Sequence, residues 1–196
     1  AVNLLASTAL KKALDHAPFL MWSETGEDRR PPRGDYVIGV DIAAGTGGAF
    51  SSNSVFVIYN ARTGKQVARY SKRGIKPEPF CKIAAAAGKW FYEAMIAPEA
   101  MGSVGKSFMD ELRRIGYWNV YQRQVEFVAT DVYTAKLGVT NSDGGQDMLT
   151  KLVNAIENEE ITVYDEVIYS ELSEYQVDPT GRVYHPGAKV KNSITG

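Results

Sequence analysis

Apolar residues recur along this chain with two periods, and the switches between them predict its elements. From residue 1 to about 17, Leu4, Leu5, Ala9, Leu10, Ala13 and Leu14 fall on one side of a helical repeat, which predicts an amphipathic arm. Residues 23–34 are rich in charge, Pro and Gly and read as a linker, so that 1–34 forms an appendage and 35–196 the domain proper. The apolar run 36–41, Tyr-Val-Ile-Gly-Val-Asp, fits a buried strand. Two further β-rich runs, 54–59 and 65–70, flank Asn60-Ala61-Arg62-Thr63-Gly64, so the first three strands are expected to form a meander of hairpins.

After Pro77 the apolar spacing becomes three and four, which predicts a helix over 78–93. A short strand over 94–97 runs into Pro98-Glu99, a helix over 103–115 stops at Gly116, and 118–121 reads as another short strand. Helices over 143–158 and 166–175, with extended pieces at 161–164 and 182–185, complete the chain, and no internal repeat or low-complexity segment appears. Trp90, Phe91, Tyr117, Trp118 and Tyr121 are expected to fill the space between sheet and helices. Three antiparallel strands followed by helix-linked parallel strands is the order of a ribonuclease H-like α/β fold: a mixed sheet flanked by helices.

That order gives the acids a meaning. Asp41 ends the first strand of the domain and Glu99 follows the strand at 94–97, so neighbouring strands would bring both carboxylates to one sheet edge. The small residues after Asp41, Ala43-Ala44-Gly45-Thr46-Gly47-Gly48, leave room for a close approach. Hard oxygen ligands of this kind suit Mg²⁺ or Mn²⁺, and a pair of such ions supports metal-assisted phosphodiester hydrolysis. The plainer alternatives are a turn begun by Asp41 and a helix dipole served by Glu99.

Two other motifs compete. Residues 100–107, Ala-Met-Gly-Ser-Val-Gly-Lys-Ser, have the form of a phosphate-binding loop with Ala in the first Gly position, which would make the chain an NTPase. Gly39-Val40-Asp41-Ile42-Ala43-Ala44-Gly45-Thr46 has the form of the first phosphate loop of the sugar kinase, Hsp70 and actin group, whose members need a far longer chain.

Composition narrows the classes. The 196 residues, 44% of them hydrophobic, suit one domain with an ordinary core. A net charge of −1 announces neither a nucleic-acid nor a membrane partner, so any DNA contact must be local. Local basic groups exist at Arg69, Lys72, Arg73 and Lys76, at Arg113, Arg114 and Arg123, and at Lys106. A single cysteine, Cys81, and two histidines, His16 and His185, leave no Cys or His metal cluster and suit a reducing cytoplasm. No apolar run approaches a membrane span, no signal peptide is expected, and a first residue other than Met suggests an excised fragment.

The chain also resembles the nuclease domain of the large terminase subunit of tailed bacteriophages. The resemblance runs from about 36 to 187 through YVIGVDIAAG, SVFVIYNARTGKQVA, AMIAPEAMGSVG, DELRRIGYWNVY and the stretch from KLGVTNSDGG to VDPTGRVYHPG. It implies a ribonuclease H-like endonuclease that cuts concatemeric double-stranded DNA with divalent metal, Mg²⁺ or Mn²⁺, two ions in the active state. Asp41 and Glu99 match the family's first two catalytic and metal-binding acids. Lys72, Arg73 and Lys106 would meet DNA phosphate. The implied partners are DNA, an ATPase motor domain on the same polypeptide, the small terminase subunit and the portal, in the cytoplasm of an infected bacterium and without a membrane. The family's third acid, an Asp on a helix after the equivalent of 182–187, is expected beyond Gly196. If it lies within the chain instead, Asp143, Asp147 and Asp165 are the candidates. The helix start near 143 is acidic where the family is often basic, and 51–54 lack an acid frequent in the family. A docking module of the packaging motor without nuclease activity is the further alternative.

Overall fold

The computed structural model describes residues 18–46, 52–100, 102–127, 132–139, 145–179 and 183–186. A five-stranded sheet runs through its centre in the order β1-β4-β3-β2-β5, where β1 is Phe19–Met21, β2 Tyr36–Asp41, β3 Asn53–Asn60, β4 Gln66–Arg73 and β5 Met95–Pro98. Helix α1 (Pro77–Trp90) precedes β5 and α2 (Gly102–Arg114) follows it. A hairpin, β6 (Gln122–Phe127) with β7 (Val132–Leu137), comes next. Helices α3 (Gly145–Glu157) and α4 (Glu166–Ser173) then lead to a small ribbon of β8 (Gln176–Val177) and β9 (Val183–Tyr184).

The meander forms because alternation gives each strand one apolar face. Tyr36, Ile38 and Val40 of β2, Phe56 and Ile58 of β3, and Ala68 and Tyr70 of β4 are all buried. Register puts Ile38 opposite Ile58 and Ile58 opposite Ala68, so these side chains make one continuous floor. Helix α1 begins with Pro77, whose missing N–H is harmless in a first turn, and buries Phe80, Cys81, Ala84 and Ala85. Phe80 stands between Phe56 and Phe108 of α2, with ring centroids 5.9 and 5.8 Å away, and each such pair adds about 0.5–1.5 kcal/mol beyond its buried area. The thiol of Cys81 is pushed up to about 12, first by burial and then by Glu111, so this cysteine is an inert core group.

Strand β5 runs parallel to β2, with Ile96 beside Ile38 and Pro98 beside Val40. Its outer edge is closed by two single-residue bridges, Val120 against Ile96 and Val139 against Glu99. The strand expected over 118–121 is thus one bridge long, because Tyr117 turns inward and donates its hydroxyl to the Ala94 carbonyl at 2.6 Å. Phe91 and Tyr117 are core as expected and Trp90 is half-buried, whereas Trp118 is 72% exposed and Tyr121 also lies at the surface. The helix expected to reach residue 93 stops at Trp90, where Tyr92 and Glu93 take positive φ.

The linker expected over 23–34 is instead a strap of the fold, and β1 just ahead of it is an edge strand paired with β4. Arg30 donates to the last carbonyls of α1, those of Lys89 at 3.1 Å and Trp90 at 3.3 Å, and its guanidinium lies 4.3 Å from the Tyr92 ring centre. Carbonyls of Pro31 and Pro32 accept from the hydroxyls of Tyr92 and Tyr36, and the Arg29 carbonyl from the indole of Trp90. The arm expected over 1–17 lies outside the described residues.

Arg69 lies between buried Ala68 and Tyr70 on an alternating strand, so it faces away from α1 and α2. It forms an ion pair with Asp165, N···O 2.5 Å, and Asp165 is 2% exposed. Asp165 also caps α4 by accepting from the amides of Val167 and Ile168, while Gln66 Oε1 accepts from the amides of Tyr164 and Asp165. Helix α4 is therefore pinned by its N-terminus to the second face of the sheet.

Candidate metal centre

Asp41 is the last residue of β2, paired across the hairpin with Val55, and it is exposed on the face opposite buried Val40. Glu99 comes directly after β5 and is half-buried. Since Val40 lies beside Pro98 in parallel register, one further residue on each strand brings Asp41 and Glu99 together at the C-terminal edge of the sheet. The Glu99 amide donates to the Val40 carbonyl at 2.9 Å, which ties the two residues through one backbone hydrogen bond.

Glu99 is held from its other side as well. The Val139 amide donates to the Pro98 carbonyl at 2.9 Å, and the Ala100 amide donates to the Val139 carbonyl at 2.8 Å. Helix α2 presses on the same point from below, because a Cβ at Gly105 would lie 2.7 Å from the Glu99 carbonyl oxygen. Gly105 is one of the glycines that gave 100–107 its resemblance to a phosphate loop, and here its small size serves the contact between helix and strand. The sheet behind it is antiparallel apart from the β2–β5 pair, unlike the parallel core of such NTPases.

The loop after Asp41 is fixed by two contacts. Ser54, fully buried, accepts from the Ala43 amide at 3.1 Å through its hydroxyl. Gly45, at φ +68°, passes so close to the Ile75–Lys76 backbone that a Cβ would lie 2.4 Å from the Ile75 carbonyl oxygen. Lys76 is consequently brought beside the loop that leaves Asp41.

The bases expected to meet DNA also lie at this end of the sheet. Lys72 lies opposite Ser54 and Arg73 opposite Asn53, both exposed and just beyond the Val55–Ser71 pair that adjoins Asp41. Lys106 is exposed near the start of α2. Arg69 does not belong with them, being largely covered and ion-paired with Asp165. Arg113 and Arg114 are engaged by acids of their own helix, Arg114 gripping Glu111 with two bonds of 2.6 Å and Arg113 reaching Asp110 at 2.9 Å.

Of the candidates for a third acid, Asp165 is used as cap and counterion, residue 143 lies outside the described residues, and so does the side chain of residue 147. Among the described residues no group of three or more His, Cys, Asp or Glu comes together around a possible metal. The two strand-end carboxylates are a donor set fit for a hard divalent cation. Ser54 and Lys76 are the members of this site with the weakest signal in the sequence: Ser54 is one of several serines in its hairpin, and Lys76 reaches the loop only through the fold.

Comparison with solved structures settles the fold. The chain superposes on the large terminase nuclease of thermophilic phage G20c with bound magnesium, at a TM-score of 0.60 and 21% identity, over 86% of this chain and 77% of that one. The chain has the ribonuclease H-like fold of phage large-terminase nucleases. The G20c nuclease with bound zinc gives a TM-score of 0.58 at 16% identity, over 82% and 78% of the two chains. The Thermus phage P74-26 large terminase nuclease domain gives 0.55 at 18%, over 85% and 74%. No protein-family model matches the sequence, and no curated protein matches it.

Proposed function

We propose that this chain is the metal-dependent endonuclease domain of a phage DNA-packaging terminase, cutting double-stranded DNA by hydrolysis of phosphodiesters. The observation that supports the reading is the parallel register of β2 and β5, which ends with Val40 beside Pro98 and the Glu99 amide on the Val40 carbonyl, so that Asp41 and Glu99 are the next residues on adjacent strand ends. Similarity of fold to large terminase nucleases, one of them with magnesium bound, supports it.

In this reading Asp41 and Glu99 hold Mg²⁺ or Mn²⁺ through carboxylate oxygens. The metal, when bound, makes water a nucleophile at neutral pH and stabilises charge on the phosphate. The protein's own part is positional: backbone bonds on both sides of Glu99, and the Ser54 bond behind Asp41, keep the carboxylates from moving apart. Lys72, Arg73 and Lys106, joined by Lys76, hold the duplex by its phosphates without reading bases.

The test is plasmid cleavage by the full-length protein with Mg²⁺ or Mn²⁺. Asp41→Asn and Glu99→Gln should each lower cleavage by at least about 10³-fold, since members of one metal unit fail together, while circular dichroism and ATP hydrolysis should stay unchanged. Cleavage retained by Asp41→Asn overturns the assignment.

A further inference from the structure

Charge along this chain is segregated. Residues 152–181 contain eight acids and no Lys, Arg or His, which leaves the remaining residues with a net charge of +7 against −1 for the whole. Of the acids, Glu157, Glu159, Glu160, Glu166, Glu171 and Glu174 are exposed at the end of α3 and along α4.

Exposed apolar side chains concentrate in the same place. Of eight large hydrophobic residues exposed among the described ones, six lie between 148 and 177, including Val167 at 52%, Tyr169 at 66% and Val177 at 60%. Helix α4 buries none of its residues although its sequence, Glu-Val-Ile-Tyr-Ser-Glu-Leu-Ser, is half apolar. Between α3 and α4 lies a groove of about 490 Å³ lined by Ile156, Ile161, Val163, Tyr169 and Leu172, with Glu159 at its rim. Among the described residues, a helix pinned at one end by Arg69, with Val167 and Tyr169 exposed, Ile168 and Leu172 only half-buried and its rim negative, is suited to receive something apolar and positive.

We propose that the α3–α4 face is a docking surface for a basic amphipathic helix of another protein and is not a DNA-contact surface. Six exposed carboxylates repel a phosphate backbone, and the exposed bases Lys72, Arg73 and Lys106 lie at the Asp41 end of the sheet. Apolar anchors of the partner would seat in the groove against Tyr169 and Leu172, and its lysines or arginines would face Glu159, Glu166 and Glu171. The proposal stands apart from the nuclease reading, since no step of it uses Asp41, Glu99 or metal.

The experiment measures fluorescence anisotropy of a labelled synthetic peptide, eighteen residues of Leu and Lys in amphipathic helical order, against the 196-residue chain. A peptide of the same pattern with Glu in place of Lys is the control. The Leu/Lys peptide is expected to bind with an affinity that falls as salt rises, and the Leu/Glu peptide is not. Tyr169→Ala and the double change Glu166→Lys with Glu171→Lys should each weaken binding by about 10-fold or more, and Trp118→Ala, at an exposed aromatic elsewhere, should leave it unchanged. Because Tyr169, Glu166 and Glu171 are exposed, these variants should fold, which circular dichroism checks. Equal binding by Trp118→Ala and Tyr169→Ala proteins, or none by the parent, overturns the proposal. So does tighter peptide binding after removal of residues 1–17, which names the chain's own arm as the occupant. A dimer in sedimentation that Tyr169→Glu dissolves overturns it in favour of a second copy, and loss of duplex binding on Tyr169→Ala overturns the exclusion of DNA.

Discussion

Arg69 and Asp165 illustrate how far a residue's role depends on a partner that the local sequence does not reveal. By composition Arg69 belongs with Lys72, Arg73 and Lys76, yet its partner is remote in sequence, Asp165 is buried and the Arg69 side chain is only 11% exposed. Removing one member strands the other charge away from water, so Arg69→Met should cost about 3–5 kcal/mol in urea unfolding. Lys72→Ala, on the same strand but exposed, should stay within about 0.5 kcal/mol of the parent. Asp165→Ala should fall near the Arg69 variant, since it removes the helix cap along with the ion pair. Asp41 was legible for the opposite reason: a carboxylate closing an apolar run is visible in one line of sequence, and its strand-end position follows from the run itself.

At the level of elements, Glu111 joins α2 to α1. Its carboxylate takes both bonds from Arg114 and lies 3.8 Å from Lys82 of α1. The hydrogen bonds from Arg114 hold the Glu111 carboxyl below its ordinary range, helped by the positive charges of Arg114 and Lys82. A carboxyl whose pKa is lower folded than unfolded stabilises the fold above the unfolded value, and that contribution disappears as pH falls through the folded one. Unfolding curves between pH 7 and pH 3 should therefore show the parent losing stability on acidification more steeply than Glu111→Gln. Contact between α2 and the strand end predicts a second effect: Gly105→Val should push the helix from Glu99, lowering both the melting temperature and plasmid cleavage, with Gly105→Ala intermediate.

Elements with strong periodicity, β2 to β4 and the helices α1 to α4, were readable to within a few residues, because burial on one face imposes the pattern directly. Strand β1 and the strap were not. Phe19–Met21 is too short to show alternation, and a segment of Pro, Gly and charge looks identical whether it floats or is held by distant groups such as Trp90 and Tyr92. Strands β6 and β7 escaped for a related reason, since Gln122, Arg123 and Gln124 give a polar opening with little apolar contrast. That Asp41 and Glu99 become neighbours required the parallel pairing of β2 with β5, which sequence supplies only through the order of elements.

For the whole molecule, the separation of basic from acidic surface makes a net charge of −1 a poor guide to its behaviour. Under the proposed function, duplex binding should be independent of sequence and weaken steeply with salt, as expected of a few phosphate contacts near Asp41. Replacing Lys72, Arg73 or Lys106 by Ala should each reduce the slope of log K against log salt by about 1, whereas Arg113→Ala should leave it unchanged. Filter binding over a salt series distinguishes these outcomes, and a slope untouched by all three changes would move the duplex elsewhere on the surface.

The strap between β1 and β2 has a mechanical consequence. Tension applied to the chain ahead of Pro18 reaches β2 only after passing through β1, which meets one neighbour among the described residues, and through the Arg30 and tyrosine hydroxyl bonds to the end of α1. A short edge strand peels one backbone bond at a time, while the strands around Asp41 are paired on both sides and yield together. Stretched by optical tweezers from its N-terminal end, the chain should release residues 18–34 in a small early step and keep β2 and β5 in register until a later, larger one. The strap then acts as a strain relief, so that pulling on the tether leaves the spacing of Asp41 and Glu99 unchanged.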